Sequence, residues 1–242
     1  TTPLKIAVES RIGNNCQVSG DFGKQEIIIS QKSRGEWQRT GTSSVFYNKY
    51  IFSNKSVQGK NFYLFSKPFE FPFKIADLIF ITSSEESYCF IDAPEEIQEE
   101  LMDLSQANLF TENCPSDSIK VCFGSGTGED CAVAVDINDR TVEKNGSIVY
   151  FEGDSLMYGA IFSEKEIYEC QVERLMKRLR ELAFIYNDKE GIISGKGCPA
   201  DVNVLGLADS ASSLKDSADL VLVKFAADDA DDENKRAYCS LW

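Results

Sequence analysis

The sequence predicts an α+β fold whose sheets are mainly antiparallel, with one long amphipathic helix and disulfide stabilisation. Alternating or β-branched segments fill residues 1–85, which favours strands. Apolar residues recur at alternating four- and three-residue spacing between Tyr168 and Tyr186, which favours a helix with one buried side. Eight cysteines are spread along the 242-residue chain, and their even number favours pairing.

Strand patterns dominate the N-terminal third. Residues 4–9 alternate between apolar and polar, 27–29 are an apolar run, and 76–82 have the composition of a buried strand. Residues 45–52 and 62–65 are rich in aromatic and β-branched side chains. These patterns predict a β-rich subdomain at 1–85 followed by an α+β body at 86–242, or one continuous domain.

The central segment combines a short helix with strands. Pro94 followed by two glutamates is typical of a helix start, and this helix is expected to end near Leu104. Strands are predicted near 119–123 and 131–137. The Asn145-Gly146 pair lies between two strand-like arms and predicts a β-hairpin over residues 142–151.

The C-terminal part begins with the long helix. Ser163 and Glu166 match the capping-box pattern at its start, and it is expected to run to about Tyr186. A helix near 202–214 and a strand near 220–225 are predicted next. The acidic run 228–233 is then expected to be a solvated segment that cannot fold alone, with a weak calcium contact as the alternative.

Charge and composition exclude several classes of function. The chain has 25 basic and 39 acidic residues, a net charge of −14, which repels nucleic acids and anionic lipids. It has no histidine, so Ser–His and Cys–His catalysis and histidine-dependent metal sites are excluded. We therefore predict no nucleic-acid partner, no metal and no cofactor. Paired carboxylates, as in glycoside hydrolysis, remain available to an enzyme.

The cysteines predict disulfides more strongly than redox or zinc chemistry. No C-x-x-C motif occurs, so the usual redox and zinc-knuckle spacings are missing. Eight cysteines allow 105 pairings, and the sequence alone leaves the connectivity open. The pairs we consider most plausible are Cys122–Cys131, Cys170–Cys198, Cys89–Cys114 and Cys16–Cys239.

Two further segments invite a site interpretation. The glycine-rich segment 124–128 lacks the following helix and the lysine of a phosphate loop, so we interpret it as a hairpin loop. Arg174, Lys177 and Arg178 form a basic helix face in an acidic chain. A solvated outer face is the favoured interpretation of these three, and electrostatic docking against run 228–233 or a neighbouring molecule is the alternative.

Other features bear on localisation. Asn54-Lys55-Ser56 and Asn145-Gly146-Ser147 fit the glycosylation sequon. No apolar run is long enough to cross a bilayer, and the chain starts with Thr1 instead of methionine. Together with the cysteines, this start favours removal of a signal peptide or membrane anchor, and simple trimming of the chain, which would explain the start but not the cysteines, is the alternative.

One part of the chain resembles a known group of proteins. The helix segment 168–178, with Leu182, Ala183 and Tyr186, is similar to a recurrent helix of uncharacterised archaeal cell-surface proteins. Cys198, the C-terminal residues 239–242 and the segment 72–80 fit the same resemblance, which covers about residues 70–242. Such proteins carry one N-terminal membrane anchor ahead of an outside domain. The resemblance implies an extracellular location and no particular activity.

These observations favour an extracellular, non-catalytic domain for surface structure, adhesion or assembly. Its partner would be a protein or surface, or a second copy of the chain, and a membrane only through the removed anchor. Two alternatives remain open, an extracellular carboxylate-based hydrolase acting on glycans and a pilus-like filament subunit.

Overall fold

The computed structural model describes residues 3–124 and 131–242. Within these ranges the chain forms two six-stranded sheets and five α-helices, so the α+β class is confirmed. The predicted mainly antiparallel arrangement is wrong, because both sheets are mixed. In the first sheet one of the strand pairings is parallel, and in the second sheet three are.

The first sheet is built entirely from the N-terminal third. Its strand order is β3-β2-β1-β5-β6-β4, and only β4 and β6 pair in parallel. The strands are β1 (Leu4–Gln17), β2 (Lys24–Ser33), β3 (Glu36–Phe46), β4 (Tyr50–Phe52), β5 (Ser56–Glu70) and β6 (Lys74–Ser83).

The second sheet follows directly in sequence. Its order is β12-β11-β10-β9-β7-β8, and β7 to β10 pair in parallel while β10, β11 and β12 form an antiparallel meander. The strands are β7 (Tyr88–Ile91), β8 (Leu109–Phe110), β9 (Ile119–Phe123), β10 (Val133–Asp136), β11 (Thr141–Lys144) and β12 (Ser147–Tyr150).

Two turn predictions have different outcomes in this sheet. The hairpin at Asn145-Gly146 is confirmed, because both residues have positive φ, 53° and 68°, as a two-residue type I′ turn requires. The hairpin loop predicted at 124–128 is wrong as a hairpin, because β9 and β10 are parallel neighbours. Residues 125–130 of that loop lie outside the described residues.

The helices pack around both sheets. Helix α2 contacts β5, β6 and β11, whereas α3 contacts β1, β4, β6 and β12. Helix α4 packs on α3, and α5 packs on α4. The helices are α1 (Glu95–Leu104), α2 (Gly153–Phe162), α3 (Lys165–Ser194), α4 (Val204–Ser213) and α5 (Leu220–Arg236), and a 3-10 helix (Ser217–Asp219) precedes α5.

The helices differ from the sequence-based expectation in three respects. The capping box is not formed: Glu164 occupies the N-cap of α3 without a side-chain cap bond, and the Ser163 hydroxyl has no hydrogen-bond partner. Helix α2 was not predicted, because its eight buried residues give an apolar run without a helical period. Helix α3 extends to Ser194, beyond the predicted end at Tyr186.

The strand predicted at 220–225 is wrong, because helix α5 contains these residues together with the acidic run 228–233. Leu220, Val223, Ala227 and Ala230 are buried at alternating three- and four-residue spacing. This spacing places the apolar side chains against α4 and leaves most of the aspartates of the run outside. Packing of this side thus stabilises a helix that the acidic run could not form alone.

One large core connects both sheets and the helices. Its centre is aromatic: the rings of Phe65 and Phe80 stack at 4.6 Å, and Phe162 meets Tyr88 edge-on at 5.0 Å. Alternate strand residues point to the opposite face, where Ile51 and Ile81 belong to a second, smaller cluster. In the described ranges no helix is long and apolar enough to cross a membrane.

Candidate functional site

All eight cysteines are paired in four disulfides. The bonds Cys89–Cys114 and Cys122–Cys131 are the ones considered from the sequence. The other two differ, because the structure joins Cys16 to Cys170 and Cys198 to Cys239.

The length of α3 explains this difference. Cys170 lies near the start of the helix, and about 36 Å of helix separates it from Ser194 at a rise of 1.5 Å per residue. A disulfide needs Cα atoms within about 7 Å, so Cys198, four residues after the helix, cannot return to Cys170. Cys170 instead meets Cys16 on β1, at a Cα distance of 6.1 Å.

Arg174 is not on the solvated face that the sequence favoured. Its side chain has no exposed surface, and each of its five N–H groups lies within hydrogen-bond distance of an oxygen of the chain. The acceptors, at 2.8–3.3 Å, are the carbonyl oxygens of Phe22, Phe46, Tyr47 and Lys49 and Oε1 of Gln171.

The Arg174 guanidinium therefore joins α3 to two loops of the first sheet. The loop before β2 supplies one of its four backbone acceptors, and the last residue of β3 with the following loop to β4 supplies the other three. Burial lowers the pKa of Arg174, and the nearby Tyr50, whose ring lies 4.9 Å away, opposes this effect. Among the described residues no carboxylate forms an ion pair with Arg174, so this residue does not dock against run 228–233 within the molecule.

Lys177 and Arg178 have different environments. The Lys177 ammonium donates to the carbonyl oxygens of Val18 and Gly20 and forms an ion pair with Glu173. Arg178 is half-buried and belongs to no ion pair in the described residues. The three predicted basic residues thus do not form one exposed face, and two of them hold the first sheet to α3.

Sequence reasoning missed the buried polar network that continues from Arg174. Gln171 donates to the Ile51 carbonyl oxygen, which also accepts from Gln25 and Asn14. Gln171 and Arg174 lie beside the apolar stripe of α3 and are buried because this helix is covered by the first sheet and by α4. The only sequence signal is a polar residue next to the stripe, and that signal alone does not distinguish a buried from an exposed position.

Several carboxylates of the body are bonded to the chain itself. Glu169 accepts from both the backbone N–H and the hydroxyl of Ser217 at 2.8 Å. Burial raises the pKa of Glu169, and the two bonds from Ser217 oppose this. Glu100 accepts from Lys67 and from the Tyr158 hydroxyl. Among the described residues, no group of three or more Cys, Asp or Glu side chains could hold a metal ion.

A small cavity lies between the β11–β12 hairpin and the start of α3. Its volume is about 240 Å³, and Lys144, Ser163, Glu164, Glu166 and Tyr168 are part of its lining. Burial lowers the pKa of Lys144, whose ammonium donates to three oxygens of the chain. The carboxylates of Glu164 and Glu166 both pair with one lysine, Lys55. These charges are therefore already used in internal contacts.

The two glycosylation sequons are presented differently. Asn145 is exposed at the tip of the β11–β12 hairpin. Asn54 is half-buried, its amide nitrogen lies 3.4 Å from the Glu86 carboxylate oxygens, and its amide oxygen accepts from Lys144. A glycan at Asn145 would therefore disturb fewer contacts than one at Asn54.

The outer side of α5 carries exposed apolar and exposed acidic side chains next to each other. We define the α5 face as the apolar residues Tyr150, Val221, Leu222 and Phe225 together with the acidic residues Asp228, Asp229 and Asp232. All seven are exposed, and Leu222 and Phe225 retain 59% and 64% of their surface. Tyr150 and Val221 line one cavity of about 400 Å³.

The acidic half of the α5 face is incompletely neutralised. Asp228 pairs with Lys224, but Asp229 and Asp232 form no ion pair in the described chain. On an α-helix, residues 222, 225, 229 and 232 lie on one side, so two apolar side chains are followed directly by these two aspartates. An exposed apolar patch beside free charge is typical of an interaction surface.

Comparison with known proteins adds no relative. No protein-family model matches the chain, and neither the curated proteins nor the solved structures contain a match.

Proposed function

We propose that this chain is an extracellular, non-catalytic domain that acts by binding a partner in surface structure, adhesion or assembly. The observation that carries the proposal is the pairing of all eight cysteines in four disulfides. Such bonds form and persist in oxidising compartments and are rare in the cytosol. The resemblance of the α3 segment to archaeal cell-surface proteins supports the same location.

The chemistry of the interior supports binding over catalysis. Groups that an enzyme could use, such as Lys144, Glu100 and Glu169, are bonded to other groups of the chain. By contrast, Asp229 and Asp232 on the exposed α5 face form no ion pair in the described chain. A partner could therefore bind at this face without breaking an ion pair of these two aspartates.

The first test is a count of free thiols in unreduced protein. Alkylation under denaturing conditions followed by intact-mass measurement should label no cysteine in protein recovered from an oxidising compartment. The same protein after reduction is the positive control and should take up a label at every cysteine. Several labelled cysteines in the unreduced sample would contradict the extracellular assignment.

A second test separates binding from glycan hydrolysis. The purified protein, incubated with a panel of polysaccharides, should release no reducing ends above the level of a heat-denatured control. Saturable release would contradict the non-catalytic assignment, and carboxylate variants such as Glu100→Gln would then show which groups carry the hydrolysis.

A further inference from the structure

We propose that the α5 face binds a basic amphipathic segment of another protein. This inference rests on the proposed binding role and specifies the chemistry of its partner. The apolar half of the face offers side chains that a partner can bury. The acidic half favours a partner that carries positive charge.

The apolar half of the face has the composition of a contact surface. Val221, Leu222 and Phe225 occupy the outward side of the first turns of α5, while Leu220 and Val223 fix the inward side. The cavity that Tyr150 and Val221 share could receive one partner side chain. Covering these side chains would remove apolar area from water, which favours association.

The helix that presents the face is held in place at both ends. At its start, the Ser217 hydroxyl donates to Glu169 and accepts from the Tyr150 N–H, which joins the 3-10 helix to α3 and β12. At its end, Asn234 contacts Leu241 and Trp242 through hydrogen bonds. A partner would therefore bind a preformed surface, which limits the entropy lost on association.

Charge selects the class of partner. Asp229 and Asp232 form no ion pair in the described chain, although Lys235 interacts electrostatically with Asp232. Residues 228–236 carry five acidic and two basic side chains, so this stretch remains acidic, and the protein as a whole has a net charge of −14. A second copy of the chain would bring the same aspartates towards each other, and an anionic membrane would be repelled. A segment with lysines beside leucine-like side chains matches both halves of the face.

The other exposed apolar pair on a long helix lacks this pattern. Phe184 and Ile185 on α3 are 44% and 60% exposed, similar to the values for Leu222 and Phe225. Near them, Asp188 and Glu190 are accompanied by Lys189, so this stretch is less acidic than residues 228–236 of α5. This pair therefore provides a matched control that is similar in apolar exposure and different in charge.

The test uses a synthetic helical peptide of leucine and lysine with one apolar side, carrying a fluorophore. Fluorescence anisotropy should show saturable binding to the native protein that weakens as salt is raised, because exposed charges are screened. A peptide of the same composition, scrambled to remove the apolar side, should bind at least tenfold more weakly. An equally strong response to the scrambled peptide would overturn the proposal.

Variants locate the site of binding. The double variant Leu222→Ser/Phe225→Ser should weaken binding at least tenfold, whereas Phe184→Ser/Ile185→Ser should change it less than twofold. Asp229→Asn/Asp232→Asn should weaken binding several-fold at low salt and reduce its salt dependence. Equal losses in both apolar variants, or none in either, would overturn the proposal.

Two measurements distinguish other occupants and other failures. Sedimentation velocity should show a monomer, and a dimer abolished by Leu222→Ser/Phe225→Ser would replace the basic partner with a second copy. Binding to phosphatidylcholine vesicles that depends on the same residues would replace it with a membrane. The free-thiol count is independent of all these results. Labelled cysteines would contradict the extracellular assignment even if the α5 face binds the peptide. Fully paired cysteines would leave that assignment intact even if the face binds nothing.

Discussion

Two helix surfaces that carry charged residues differ in burial and in hydrogen bonding. On α3, the side with Cys170, Gln171, Arg174 and Lys177 is turned inward, and its polar groups are consumed by a disulfide and by oxygens of the first sheet. On α5, the outward side keeps two aspartates without an ion pair in the described chain. A charge that is fully hydrogen-bonded inside a protein organises its fold, whereas a charge left free beside exposed apolar groups remains available to a partner.

On the inward surface of α3, removal of the Cys16–Cys170 disulfide should cause the largest loss of stability. This bond spans 154 residues, whereas Cys122–Cys131 spans nine. The chain-entropy model assigns about 5 kcal/mol to the first and about 2.6 kcal/mol to the second. Cys16→Ala/Cys170→Ala should therefore lower the free energy of unfolding, measured by denaturant titration, by more than Cys122→Ala/Cys131→Ala does. The reverse order would mean that α3 is held to β1 by other contacts.

Arg174→Met should lower the free energy of unfolding by about 3–5 kcal/mol, since it leaves buried oxygens without donors. Arg174→Lys keeps a charge with fewer donors and should lose less. The matched control is Arg178→Met, one turn on, which should change stability by less than about 0.5 kcal/mol. Equal effects at the two arginines would show that the buried network contributes little.

Glu169 lies between the two surfaces, on α3 but bonded to the 3-10 helix before α5. Burial raises its pKa above the ordinary value of 4.5, so the folded state holds this proton to higher pH than the unfolded state. The free energy of unfolding should therefore fall as pH rises from 4.5 through the raised pKa. Glu169→Gln lacks this dependence, and the advantage of the native protein over this variant should be larger near pH 4 than near pH 7. A pH-independent difference would contradict the raised pKa.

The smallest expected effect is on the outward surface. Asp229→Asn/Asp232→Asn should leave the thermal midpoint unchanged or slightly higher, because it removes repulsion in an acidic protein and breaks no ion pair. Asp231→Asn is the control within the same helix. It loses the ion pair with Lys235 and weakens a contact with the Trp242 ring nitrogen, so its midpoint should fall slightly. A clear loss at 229 and 232 would mean that these aspartates serve the fold.

Local patterns predicted much of the architecture. The hairpin at Asn145-Gly146 and helix α1 follow from turn and capping residues that act within a few positions. Cys122–Cys131 and Cys89–Cys114 join residues 9 and 25 positions apart. The hairpin and the helix start depend on neighbours in sequence, so the sequence suffices to predict them. The two disulfides were candidates among pairings that the sequence left open.

The remaining features depend on residues that meet only in the folded chain. Whether β9 and β10 pair in parallel, and whether 220–236 is a helix, is decided by packing against the other strands and against α4. The burial of Arg174 depends on four carbonyl oxygens more than 120 residues away.

Composition and local patterns establish an acidic, histidine-free α+β protein with enough cysteines for four disulfides, because these properties do not depend on contacts between distant residues. The pairing of the cysteines and the burial of particular charges are set by the folded arrangement. Those outcomes depend on distances between distant segments, and a linear pattern of residue types does not contain those distances.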